Sequence, residues 1–119
     1  MRLVFACFLL YFLLIFSNGC QSRRPESAQP VTIKIVMKRY SIEPNSIRLK
    51  QGQTTTLEVS TADVQHGFSI EALKVDEPIQ PGKPATIHVT PQQKGRFNVE
   101  CDIVCGPGHD NMQGTVIVE

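Results

Sequence analysis

The last 26 residues, "KGRFNVECDIVCGPGHDNMQGTVIVE" (residues 94–119), decide how this chain folds. Phe97 and Val99 alternate with Arg96, Asn98 and Glu100, a period of two that places alternate side chains on opposite faces of a strand. The closing "GTVIVE" is β-branched and equally strand-like. Between the two runs lies Cys101 to Met112, which crowds two cysteines, a histidine and a methionine among glycines and a proline. If Phe97 and Val99 face inward, parity carries Cys101 inward at the strand's end. Cys105, His109 and Met112 then occupy a loop made pliable by Gly106, Pro107 and Gly108, before a last strand from Gly114. A disulfide with bystanders, a site for one metal ion and a site for two all fit such a loop.

Working outward, the same period recurs. Val31, Ile33, Ile35 and Met37 alternate with polar residues, broken only by Val36; so do Leu57 and Val59, and Ala85, Ile87 and Val89. Turn signals separate these runs at Glu43-Pro44-Asn45, Gln51-Gly52, Gln80-Pro81-Gly82 and Lys94-Gly95. No convincing amphipathic helix interrupts them. Short strands at roughly 8–12-residue spacing predict an all-β, antiparallel sandwich or barrel as a single domain over residues 31–119. Its core is modest, so a metal or a disulfide would help to stabilise it.

The N-terminus has a different character. Arg2 precedes an unbroken apolar run from Leu3 to Phe16, followed by Ser17, Asn18 and Gly19, the order of a secretory signal over residues 1–19. That run is shorter than the roughly 17–25 apolar residues of a spanning helix. "SNGC" resembles a bacterial lipoprotein cleavage box with Cys20 as the lipidated residue, although Ser17 stands where an aliphatic residue is usual. Residues 20–30 then form a polar, proline-punctuated tether. These features predict export and a membrane anchor, facing the periplasm or the outer cell surface. Removing residues 1–19 takes only Arg2 from the charges and leaves 11 basic against 11 acidic residues. Nothing in this balance suggests a nucleic-acid partner, which would need a basic face.

The cluster carries the chemistry. "VQHGFSI" places His66 on the inward face with Phe68 and Ile70, and Gly67 permits close approach beside it. Thiolate, imidazole and thioether form the soft donor set that selects copper. Cys105, His109, Met112 and His66 alone would make a mononuclear blue-copper site. Cys101 is then surplus, and two thiolates four positions apart can bridge a pair of copper ions. His88 falls on the solvent side of its strand and reads as an ordinary surface residue, while Met37, Phe68 and Phe97 read as core. No acid–base pair or activated nucleophile is evident, so the domain alone is expected to catalyse nothing beyond electron passage.

Cys-x3-Cys-Gly-x2-His-x2-Met, preceded by a His-Gly-Phe strand, resembles the binuclear copper (CuA) domain of cytochrome c oxidase subunit II. "DVQHGFSIE" and "PGKPATIHVT" match that family in order, as does the segment quoted first, so the likeness runs from about Tyr40 to the C-terminus. The resemblance implies a cupredoxin-like Greek-key β-sandwich with Cys101 and Cys105 bridging two coppers. It implies that His66 and Met112 complete one copper, and that His109 and the backbone carbonyl of Ile103 complete the other. It further implies one-electron transfer from a donor such as a c-type cytochrome towards the catalytic subunit of a membrane oxidase. Two features depart from the family: Ile103 stands where many members carry a glutamate that helps to bind magnesium, and the chain has no tryptophan for the segment through which electrons enter. Cys-x3-Cys also occurs in thioredoxin-like copper chaperones, which makes copper delivery or storage the alternative. Those proteins place the pair between an early strand and a helix, and no βαβ pattern is present here.

Overall fold

The computed structural model describes residues 29–119; the expected signal, Cys20 and most of the tether lie outside the described residues. Nine strands form two sheets. The first holds β1 (Val31–Lys38), β2 (Ser41–Glu43), β4 (Thr55–Thr61) and β7 (Ala85–Val89) in the order β2-β1-β4-β7. The second holds β3 (Ser46–Leu49), β5 (His66–Ile70), β6 (Val75–Ile79), β8 (Gly95–Glu100) and β9 (Gln113–Val118) in the order β3-β9-β8-β5-β6. Among the described residues the only helical turns are short 3-10 segments at Glu71–Leu73 and His109–Asn111. None is long and apolar enough to cross a membrane.

Alternation dictates the core. Ile35, Met37, Leu57, Val59 and Val89 from the first sheet are buried facing Ile47, Leu49, Phe68, Ile70, Ile79, Val99 and Val116 from the second. Removing this apolar surface from water is the main stabilising term for such a fold. Val36, the interruption in the first run, points out and stays exposed. Val31, expected inside, is 40% exposed at the start of β1. His88 is exposed as expected and meets Thr56 across β4 and β7, with Nδ1 and Oγ1 3.1 Å apart.

The expected all-antiparallel pairing is only part of the outcome. β1 pairs in parallel with β4, and β3 pairs in parallel with β9. After the β1–β2 hairpin the chain crosses to the second sheet as β3, and it returns to the first as β4 beside β1. Both parallel pairs need this crossing, which uses two strands too short to leave a periodic signature, β2 and β3. β8 and β9 are antiparallel neighbours, with Glu100 opposite Gln113. The segment between them is therefore a hairpin connection. It sits at one end of the sandwich, together with the β1–β2 turn and the start of β5.

Candidate metal centre

Two elements build the site. The β8–β9 connection brings Cys101, Cys105, His109 and Met112; its neck is closed by the Cys101 amide donating to the Met112 carbonyl at 3.1 Å. Inside it the His109 and Met112 amides donate to the carbonyls of Gly106 and His109, at 3.1 and 3.0 Å, which curls the segment into its 3-10 turn. The start of β5 brings His66. Gly67 lets the two meet: a β-carbon there would overlap the Asp102 carboxylate and press on Ile103. Only a residue without a side chain allows residues 102 and 103 to lie on β5, and so brings Cys101 up to His66.

The donor atoms converge. Cys101 Sγ lies 3.9 Å from Cys105 Sγ, 3.7 Å from His66 Nδ1 and 3.1 Å from the Ile103 carbonyl oxygen. Cys105 Sγ lies 3.7 Å from Met112 Sδ and 3.9 Å from His109 Nδ1. The His66, Cys101 and Cys105 donors all fall within 4.8 Å of one another. His66 and the Ile103 carbonyl thus flank one sulfur, while His109 and Met112 flank the other. His66 and Met112 are fully buried and the cysteines nearly so, whereas His109 is half-buried. All six positions singled out in the sequence are brought together.

This donor set fits a soft metal. Bonds of about 2.0 Å to imidazole and about 2.3 Å to thiolate place two ligands of one tetrahedral ion about 3.5–3.8 Å apart. The separations above are of that order. Both cysteines are free thiols, so the disulfide expected as one alternative is not formed here. Burial pushes the Cys105 thiol upward, and the neighbouring Cys101 thiol adds to it. Two buried thiolates side by side therefore call for a cation to hold them, and a metal supplies one.

Three supporting residues were not singled out in the sequence. Asp63 Oδ1 accepts from His66 Nε2–H at 2.8 Å, which fixes the ring and turns Nδ1 towards Cys101. Burial pushes the Asp63 carboxyl up, but hydrogen bonds from the Arg39 amide, His66 and the Val64 amide outweigh it, holding the group well below the ordinary carboxylate range. Arg39 Nε–H donates to the Cys105 carbonyl at 2.8 Å. The Tyr40 ring lies so close against Gly106 and Gly108 that a side chain at either would collide with it, and Gly106 adopts a φ of +149°. Asp63 had a faint signal, three positions ahead of His66 in "DVQH"; Arg39 and Tyr40 had none. Asp102, on the outer face, has its carboxyl raised by burial and by the Asp76 side chain beside it.

With fold and donors in place, the class follows. The family described as a cupredoxin-like domain matches residues 6–118, and the chain belongs to it. More particularly, it is similar to cytochrome c oxidase subunit 2. Two Thermus thermophilus proteins of that description are each 31% identical to it over 88 residues, 74% of this chain. That stretch spans 65% of one relative and 52% of the other. In fold, the chain superposes on the periplasmic domain of cytochrome oxidase subunit II from Bradyrhizobium japonicum with a TM-score of 0.69 at 20% identity, covering 75% of this chain and 83% of that one.

Proposed function

We propose that the chain is an exported electron-transfer protein whose loop end holds a binuclear copper (CuA) centre. It would pass single electrons from a donor such as a c-type cytochrome towards the catalytic subunit of a membrane oxidase. The observation that carries this reading is the second buried thiol. Cys101 stands 3.9 Å from Cys105, with an imidazole beside each sulfur. A mononuclear blue-copper site needs only one thiolate. Cys101 and Cys105 would hold both ions, with His66 and Met112 completing one and His109 and the Ile103 carbonyl the other. Copper held this way supplies a one-electron couple.

The chain's own residues supply rigidity and access. His66 is fixed by Asp63, and the Cys101 and Met112 ends of the loop are fixed to each other. Donors held in place change position little between redox states, which favours fast exchange. Burial of both cysteines and of Met112 shields the metal from competing ligands, whereas a delivery protein needs exposed, exchangeable donors. The half-buried His109, together with Val104 at 79% exposure, offers a partner a short route to the centre. Similarity to oxidase subunit 2 supports the oxidase as acceptor. Export through residues 1–19 and anchoring at Cys20 complete the proposal, placing the centre outside the membrane beside its partners.

The test is to load the protein with copper and record metal content with the electron-spin spectrum. Two coppers per chain sharing one unpaired electron are expected, with rapid reduction by a c-type cytochrome. One copper with a simple blue-copper spectrum refutes the binuclear reading. Ready transfer of copper to an apo-oxidase with slow electron exchange favours the chaperone instead.

A further inference from the structure

We propose that Arg39 is a positioning residue of the metal centre, tying its two arms together and setting a fixed positive charge beside Cys105. The inference deepens the electron-transfer reading and rests on it. Arg39 lies in the tight turn between β1 and β2, at the loop end of the sandwich. Its amide donates to Asp63 Oδ2 at 2.7 Å, and Asp63 Oδ1 in turn holds His66. Its guanidinium Nε–H donates to the Cys105 carbonyl at 2.8 Å. Arg39 thus grips the His66 arm through its main chain and the Cys105 arm through its side chain, 24 and 66 positions away in the sequence.

An ordinary surface arginine is solvated and its charge screened. Arg39 differs in two respects. Although the residue is exposed, its Nε–H is directed at a fixed carbonyl on the ligand loop. Among the described residues, no carboxylate makes an ion pair with it; the pairs are Lys38–Glu43, Arg48–Glu119 and His66–Asp63. The guanidinium is therefore paired with no carboxylate, the ionised Asp63 being held on the Arg39 main chain, and it stands against the thiol loop at the Cys105 carbonyl. A positive charge next to a thiolate-held redox ion favours the electron-richer state. Arg39 should make the centre easier to reduce while keeping the Cys105 arm in register with His66. Lysine keeps the charge but lacks the planar fork that directs it.

The test compares full-length wild type, R39Q and R39K, all first shown to melt cooperatively. In the metal-free proteins, hydrogen exchange is followed at the loop amides of His109, Asn111 and Met112. R39Q should exchange at least about tenfold faster there, with the core strands unchanged. In the copper-loaded proteins the midpoint potential is measured. R39Q should fall by about 59 mV, a tenfold change in a one-electron equilibrium, and R39K should recover most of the loss. Unchanged exchange and potential in R39Q overturn the proposal. Faster exchange with an unchanged potential, or no recovery in R39K, overturns the charge assignment. Failure of wild type to take up copper refutes the electron-transfer reading instead, and the metal-free exchange data still decide whether Arg39 braces the loop.

Discussion

Asp63→Asn isolates the link between the β4–β5 corner and the first imidazole. Asp63 uses both oxygens: Oδ2 accepts from the Arg39 amide at 2.7 Å, and Oδ1 accepts from the Val64 amide at 2.6 Å and from His66 Nε2–H at 2.8 Å. Asparagine keeps one acceptor oxygen and turns an amide towards the other group, so one charge-assisted hydrogen bond is lost and a donor faces a donor. Hydrogen bonds to charged groups contribute about 1.5–3 kcal/mol. With 32% of the side chain exposed, the lower end of that range applies. For a domain of this size the melting midpoint of the metal-free protein should fall by about 6 °C or more. The imidazole also loses a charged partner, and removing such support costs about 10–100-fold in metal affinity, equal to about 1.4–2.8 kcal/mol. Thermal melts without metal, and copper titration against a competing chelator, measure the two effects separately. The affinity loss should vanish in a His66→Ala background, because Asp63 acts on the metal through that ring. An equal loss with and without His66, or none in either, refutes the reasoning.

Other substitutions probe the remaining parts. Cys101→Ser should reduce bound copper from two per chain to at most one, read by metal analysis and the electron-spin spectrum; unchanged stoichiometry would make Cys101 structural only. Gly67→Ala inserts a methyl where the Asp102 carboxylate lies, so the loop must lift off β5. Overpacking of this kind costs about 1–3 kcal/mol, and copper affinity should fall with stability; a melt and a titration equal to wild type would show that the loop adjusts freely. Cys20→Ala should release the full-length protein from bacterial membranes or leave it unprocessed, and an unmodified Cys20 in the wild type, seen by mass spectrometry, excludes the lipid.

The long strands were legible because their environment is simple. β4 and β8 each have one buried and one wet face, so alternation survives in Leu57 and Val59, and in Phe97 and Val99. The strands that escaped notice are short or peripheral. β2 has three residues, β3 has four, and β6 lies on a sheet edge with Pro78 inside it, a residue that only an edge tolerates. Those elements carry the chain between the sheets, so missing them also concealed both parallel pairings. Strand composition reports burial; it does not report which neighbour a strand chooses.

The site divides along a similar line. Four of its five side-chain donors lie within twelve residues because one hairpin connection delivers them, and parity alone carried Cys101 inward. His66 was found because its strand face and the adjacent glycine both pointed to close contact. Arg39 and Asp63 act through side chains that reach a carbonyl and an imidazole, and Tyr40 through its ring face, and such contacts follow no fixed spacing along the sequence. The Cys105 carbonyl accepts from Arg39 regardless of the side chain at residue 105. Ligand identity is therefore written in residue types, whereas ligand rigidity is written in the packing of the β1–β2 turn against the loop, which appears only in three dimensions. It follows that exchanging the ligand loop for one from another cupredoxin-like domain should transfer the metal specificity, yet leave its tuning with the Arg39 turn of this scaffold.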